Sequence, residues 1–595
     1  MTFRRFNRSK SLSKIQGSYN ALSDQVSATG GVISDYDDGT GKKYRAHIFT
    51  SAGSLTVNSI APGVVSGTVN YSSVSYRKIG QTLNSSASNV EYLVVGGGAG
   101  GQTGHESGGA GGHVAIGTFA VTATSFPTTI GAGGGSRPND NVNGSGNSGS
   151  PSSFGPVTTP SAPSGGVGPT GAAAGSQGTG TPGTSVSRTG GNGVQSSISG
   201  STLYYGGGGG GAGGNGYETS NGGDGGLGGG GGGGTGPGGA GGRPGNQDGT
   251  YGSRPGPAGA PGTFATGGGG GSGGINNCGN IYCPGQAGGS GIVVVRYAIS
   301  ALTATAKATG GSISYSGGKT IHTFTSSGTF TVTSPTLTSA EYLIVAGGGG
   351  GGGRHGGGGG AGGMIFGSRP LSVSSYPIII GSGGAGVEAY SNGVNGVDTT
   401  FGGETAKGGG GGGYYNNGPG TAGSAGGSGG GGGYATGSSG GSSNQPAATF
   451  GTAYGNAGSP GSTSGTVVGG GGGGAGAAST GINGGAGRLW PVTGYYYAGG
   501  GGSSAWQTTA GNGGIGGGGG GNVGNYGTVG TGGGSAIFSG ENGLTASDNG
   551  VIYRGGNGAN STGGGGGGGG QSGYNSYRSF GGNGGSGTVI IAYPS

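Results

Sequence analysis

The chain has 595 residues, of which 186 are Gly, 23 are Pro, 7% are charged and 29% are hydrophobic, so no ordinary globular core spans it. Runs such as Gly563 to Gly570 break the strict third-position glycine of a collagen triple helix, and apolar strands bracketing the runs, with 28 Tyr spread among them, argue against disorder. Five of the +7 net charges sit on Arg4, Arg5, Arg8, Lys10 and Lys14, leaving a near-neutral body that lacks the basic stripe nucleic-acid binding requires.

Residues 1–27 read as a basic leader. Its five cations precede the first acid, Asp24, and are the candidates for anchoring the chain to an acidic partner; a solvated tail accounts for the same charges. No signal-type hydrophobic stretch follows the leader, and no apolar run reaches the length of a membrane span. The expectation is a soluble product made in the cytoplasm, without membrane insertion.

Two copies of one unit follow. In chain order, ATGGVIS from Ala28 returns as ATGGSIS from Ala308, and AHIFTSAGSLTV from Ala46 returns as IHTFTSSGTFTV from Ile321. VEYLVVGGGAGG from Val90 returns as AEYLIVAGGGGG from Ala340, SFPTTIGAGGG from Ser125 as SYPIIIGSGGA from Ser375, and GGSGIVVVRY from Gly288 as GGSGTVIIAY from Gly584. Unit 1 spans 28–300, with a β region at about 28–95, a glycine array at about 96–290 and a closing strand at 291–297. Unit 2 spans 301–595, with a β region at about 306–345, an array at about 346–586 and a closing strand at 587–593.

The opening stretches alternate in period two and are β-branched, as in Ile48 and Thr50 or Phe324, Phe330 and Val332, which predicts half-buried antiparallel strands. The runs Tyr92 to Val95, Ile292 to Val295, Tyr342 to Val345 and Val589 to Ile591 are continuously apolar and suit central strands covered on both faces. Because both brackets recur, the opening and closing strands of a unit should pair in one sheet, with the glycine middle an excursion that returns to its base. Tracts such as Gly206–Gly211, Gly228–Gly234, Gly408–Gly413 and Gly516–Gly521 have no side chains to bury, so only their backbone groups can order them. Side-by-side polyglycine II helices meet that need. The expected fold class is mainly β plus polyglycine II bundles, in two tandem units.

Spacers between the tracts mix aromatic rings with Gly, Asn and Ser, a composition suited to recognition. Tyr414, Tyr415, Trp490, Tyr495, Tyr496, Tyr497 and Trp506 are the receptor-contact candidates from this pattern; covering exposed faces of the bundle explains the same rings. Cys278 and Cys283 in CGNIYC either close a small loop disulfide or stay as two thiols.

The openings EYLVVGGGAGG and EYLIVAGGGGGG, the arrays behind them and the closings GGSGIVVVRY and GGSGTVIIAY resemble the glycine-rich domain of tailed-bacteriophage fibres and fibre-tip adhesins, particularly of marine and cyanobacterial phages. The likeness covers nearly everything after about Ala28. It implies a polyglycine II sandwich whose variable distal loops touch a host receptor, either a glycan or an outer-membrane protein. Two arrays, and an insertion at Gly63 to Ser88, depart from the simplest pattern.

Enzyme chemistry finds no foothold. Among so many glycines, GxGxxG matches carry no information, and GGKT at Gly317 lacks the earlier Gly of a phosphate-binding loop. Five scattered His and 16 acids offer no metal-ligand spacing and few carboxylate pairs, so no catalytic, cofactor or metal site is expected. His47 and His322, repeated in the two units, read as supports for a strand or its turn. The expected function is a virion tail fibre or adhesin, fastened to other virion proteins by its N-terminal region and forming homotrimers if it follows other fibres. A capsid head fibre or decoration protein is the alternative, with an ice-binding or extracellular glycine-rich structural protein more distant.

Overall fold

A computed structural model describes the chain except residues 1–25, 61–87, 103–106, 123, 136–145, 164–187, 213–220, 235–242, 248–258, 275–284, 300, 303, 388–390, 416–417, 419, 436–437, 463–466, 525–526, 535–536, 544–551 and 572–577. The leader cations, nearly all of the 63–88 insertion and both cysteines lie outside the described residues.

The described residues contain strands and no helices. In unit 1, β2 (Val32–Asp37), β3 (Lys43–Phe49), β5 (Ser88–Val95), β6 (Val114–Val121) and the closing strand β12 (Ile292–Ile299) form one antiparallel sheet in the order β2-β3-β12-β5-β6. A second sheet runs β1-β4-β7-β8-β9, from β1 (Val26–Thr29), β4 (Gly53–Ile60), β7 (Ser125–Thr129), β8 (Ser153–Phe154) and β9 (Val157–Thr158). A hairpin, β10 (Val194–Ser196) with β11 (Leu203–Tyr205), completes the set.

Unit 2 repeats the plan. Its main sheet runs β14-β15-β27-β17-β18-β22, from β14 (Ser312–Ser316), β15 (Lys319–Phe324), β17 (Ser339–Val345), β18 (Met364–Pro370), β22 (Gly451–Tyr454) and the closing strand β27 (Thr588–Pro594). Its second sheet runs β13-β16-β19-β20-β21, from β13 (Ala308–Thr309), β16 (Gly328–Val332), β19 (Ser375–Ile379), β20 (Thr399–Phe401) and β21 (Glu404–Ala406). The hairpin is β23 (Arg488–Trp490) with β24 (Tyr495–Tyr497), and a short parallel pair joins β25 (Ile552–Arg554) to β26 (Arg578–Phe580).

Opening and closing strands do pair. β12 lies between β3 and β5, with Val294 opposite both Ile48 and Leu93, and β27 lies between β15 and β17, with Ile591 opposite both His322 and Tyr342. Alternation then explains the apolar runs. In unit 2, Tyr342, Ile344, Val589 and Ile591 face the second sheet and meet Phe330, Ile378 and Phe401, while Leu343, Val345, Ile590 and Ala592 face the hairpin and meet Trp490 and Tyr497. A strand covered on both sides has no position left for a polar side chain.

The array is not the continuous block that the glycine count suggests. Strands β6 to β11 fall inside 96–290 and β18 to β26 inside 346–586, because the faces of the main sheet need side chains to cover them and glycine has none.

The tracts between these strands bond laterally with a period of three. Gly347 and Gly350 donate to Val397 and Val394, Gly348 and Gly351 to Gly585 and Gly582, and Gly349 and Gly352 to Gly360 and Gly357. Three successive residues thus reach three different neighbours before the pattern repeats. At the centre of unit 2, tracts 499–505, 516–522 and 563–569 close a ring: Gly502 donates to Gly519, Gly519 to Gly565, and Gly568 to Gly502. Unit 1 has the same ring, in which Gly210 donates to Gly231, Gly231 to Gly269, and Gly269 to Gly207. Close approach explains the glycines. A Cβ on Gly518 would lie 2.1 Å from the Gly500 carbonyl oxygen, and one on Gly231 would lie 2.0 Å from that of Ala260.

The repeated histidines tie the base together. His47 Nδ1 lies 2.7 Å from the Gly30 carbonyl and Nε2 lies 3.2 Å from the Tyr297 hydroxyl; His322 makes the same contacts with Gly310 and Tyr593 at 2.7 and 2.8 Å. Donation from Nδ1–H to the carbonyl leaves Nε2 to accept from the tyrosine O–H. Each ring so pins a Gly-Gly turn, where Gly30 and Gly310 hold φ of +113° and +103° that only glycine adopts readily.

The units meet through equivalent elements. β2 lies against β14, its counterpart. Asn560 N–H donates to Ser51 Oγ at 2.7 Å, and Phe264, at the position of unit 1 matching Asn560, packs against the unit 2 core.

Candidate functional site

A pass of the array leaves the sheet at Val345, turns at Arg354–His355 and returns to β18 at Met364. Both turn residues hold positive φ, +33° and +46°, a conformation that costs a non-glycine side chain energy and is retained here by its surroundings. Three further tracts end at the same place: 408–413 at Tyr414 and Tyr415, 427–433 at Tyr434, and 498–505 at Trp506. The backbone binds them to the turn, since Tyr415 N–H donates to the Arg354 carbonyl at 3.1 Å and Tyr434 N–H to the His355 carbonyl at 3.0 Å.

Side chains then converge on His355. Its ring centroid lies 5.3 Å from Trp506, 5.7 Å from Tyr415 and 6.0 Å from Tyr434, and the two tyrosines meet edge to face at 5.2 Å. The Arg354 guanidinium lies 5.4 Å from the Tyr415 ring centre, its Nε donates to Gln571 Oε1, and its backbone N–H donates to Ser579 Oγ at 3.0 Å. Burial, then the Arg354 charge, lowers His355 to about 4, so the ring is neutral at physiological pH. Neutral His among partly exposed Tyr, Trp and Arg makes an end surface of aromatic area with a fixed cation.

Residues 76–298 and 325–560 match the glycine-rich domain family. The chain belongs to that family. The match to the first of its two glycine-rich domains ends at residue 298, within β12, while β27, which closes the second, lies beyond the match and still forms the middle of its sheet. No curated protein matches the chain.

Of the seven recognition candidates, the structure gathers Tyr415 and Trp506 around His355 and places Tyr414 beside them, its N–H donating to Thr421 Oγ1 at 2.7 Å. The other four lie elsewhere, on the β23–β24 hairpin over the sheet. Trp490 and Tyr497 are 2% and 0% exposed among Leu343, Val345, Met364 and Ile590, so neither ring is open to an outside partner. The apolar second face of the sheet draws them in, and burial raises the Tyr497 phenol above its usual range. Tyr495 is half-buried and Tyr496 is exposed on the outer side of the hairpin.

Sequence reasoning missed Arg354, His355 and Tyr434. The signal was present: Arg-His is the one interruption by large residues between Gly347 and Gly363, and a tract in which a Cβ collides with backbone tolerates side chains only at its ends. Among the described residues, no group of three or more His, Cys, Asp or Glu is placed to hold a metal ion, and no helix is long and apolar enough to cross a membrane.

Proposed function

We propose that this protein is a virion tail fibre or adhesin that presents host recognition at the free ends of its glycine arrays. The observation that carries the reading is the convergence of Arg354, His355, Tyr415, Tyr434 and Trp506, from four separate tracts, at the end opposite the sheets. The tracts themselves are read as polyglycine II helices, supported by the three-residue period of their lateral bonds and by glycine wherever a Cβ would strike a neighbour. At about 3.1 Å per residue, the eight-residue pass from Ala346 to Gly353 spans about 25 Å. A laterally bonded bundle of this kind holds its end loops in a defined arrangement far from the base, which lowers the ordering cost of binding. The basic leader is assigned the anchor to other virion proteins, and assembly takes place in the host cytoplasm.

Adsorption tests the reading. Labelled full-length protein should bind susceptible cells and compete with infection, and Trp506→Ala or Tyr415→Ala should weaken both without changing the melting temperature. Wild-type protein that neither adsorbs nor competes would overturn the assignment.

A further inference from the structure

The edge where the β23–β24 hairpin meets β18 carries a second, separate feature. A cavity of about 390 Å³ opens there, lined by Phe366, Arg488, Leu489, Pro491 and Tyr496 beside the backbone of Gly487. That volume falls in the range of small-ligand clefts, roughly 300 to 1,000 Å³. Leu489 and Tyr496 are directly opposed across the hairpin and remain 40% and 36% exposed, while their neighbours Trp490 and Tyr497 are buried beneath them. The hairpin is thus anchored by the face of Trp490 and Tyr497, and Arg488, on that same face, meets Leu489 and Tyr496 at the cleft along its edge.

Arg488 sets the chemistry. Its guanidinium stands 4.1 Å from the Tyr454 ring centre, and Tyr454 in turn stacks on Phe366 at 5.1 Å with 22° between planes. The stack fixes the plane of the fork. Arg45, Arg243 and Arg296 each hold a carboxylate, on Asp35, Asp224 and Glu91. Among the described residues, no carboxylate forms an ion pair with Arg488 and no acceptor takes its N–H groups. A planar fork with its donors unspent matches a carboxylate in two parallel hydrogen bonds.

We propose that this cleft binds a carboxylate-bearing saccharide, with the acid group on the Arg488 fork and the apolar face of the sugar ring against Tyr496, Leu489 and Pro491. A simple inorganic anion leaves the apolar wall in water, and a neutral sugar leaves the fork without an acceptor; a ring that carries an acid uses both halves. The cleft lies on the hairpin over the sheet of unit 2 and shares no residue with the cluster around His355, so the two assignments fail separately.

Titration calorimetry on the full-length protein tests the proposal with trigalacturonate and sialyllactose as acidic probes, methyl-esterified trigalacturonate as the neutral control and inorganic phosphate as the bare anion. At least one acidic probe should bind, with the ester and phosphate at least roughly tenfold weaker. Arg488→Gln should lose about tenfold or more, Arg488→Lys should lose less, and Trp506→Ala should change nothing. Tyr496→Ala, at a position 36% exposed, should also weaken binding, with the melting temperature of the variant measured alongside. Absence of binding by both acids, equal binding of the ester or of phosphate, or unchanged binding in both Arg488→Gln and Tyr496→Ala would overturn it.

Discussion

In the sheets, Leu343 and Ile590 hold their places by what their side chains bury; in the arrays, Gly518 holds its place because it has no side chain at all. The first region is ordered by apolar contact, which tolerates modest changes of shape, and the second by lateral backbone bonds at a spacing that a single methyl group violates. Two kinds of cohesion within one chain should answer differently to the same perturbations.

The largest effect is expected in the array. Gly518→Val places a side chain 2.1 Å from the Gly500 carbonyl oxygen and 2.7 Å from the Gly514 nitrogen, breaking two or three lateral bonds at about 1–3 kcal/mol each. Gly534, where an added Cβ would meet nothing within 4 Å, is the control. A loss on the order of 5 kcal/mol at Gly518 and little at Gly534, read from thermal melts of the two valine variants, is the expected pair of results. Equal melting temperatures would remove the distinction between array and linker.

Next comes the base, where Trp490→Ala empties a large volume beneath the sheet and should cost about 3–5 kcal/mol in urea unfolding. Adsorption to cells should survive wherever the variant remains folded, in contrast to Trp506→Ala. A variant of unchanged stability would return Trp490 to the surface.

Acid sharpens the comparison, because the base depends on two buried neutral imidazoles. Burial lowers His47 and His322 to about 4, below the ordinary value of 6.5. The unfolded chain therefore takes up protons first as pH falls, so the stabilisation is whole above about 6.5 and drains away toward 4, by roughly 3 kcal/mol per ring. The melting temperature should fall through that window, and loss of strand signal in circular dichroism should accompany it. A flat profile between pH 7 and 4 would contradict the buried, neutral state.

The smallest effect is expected at Glu341, which pairs with Lys319 on the partly exposed margin of the sheet. Glu341→Gln should cost no more than about 1 kcal/mol, and added salt should erase the difference. A larger, salt-insensitive loss would mean that the carboxylate has a deeper role.

Sequence legibility follows the same division. The closing strands were readable because a strand covered on both faces is apolar at every position, as from Val293 to Val295, and the duplication was readable because His47, Glu91 and Pro127 have partners at fixed places in unit 2. Strands β7 and β19 recur as SFPTTIG and SYPIIIG, yet their short apolar stretches inside glycine-rich sequence concealed them as strands. The hairpin of Trp490 and Tyr497 was mistaken for an outer loop because aromatic rings beside Gly and Thr look alike whether they face water or a sheet; only the need to cover Leu343 and Val345 tells them apart. At the array's end, Tyr415 and Trp506 were legible by residue type, whereas their meeting at His355 depends on which tracts lie side by side, and glycine runs carry no pattern that specifies a neighbour.

The contact of β2 with β14 has an evolutionary meaning. Two copies joined by matching surfaces are what a symmetric dimer becomes once one gene encodes both halves. Separate subunits from one gene must carry identical ends, so every change at a binding surface appears twice. Within a single chain the halves drift apart: unit 2 turns on Arg354–His355, while unit 1 has Gln-Thr-Gly-His-Glu-Ser from Gln102 to Ser107 in the corresponding place. Fusion thus leaves the two ends free to differ in sequence, as these two do.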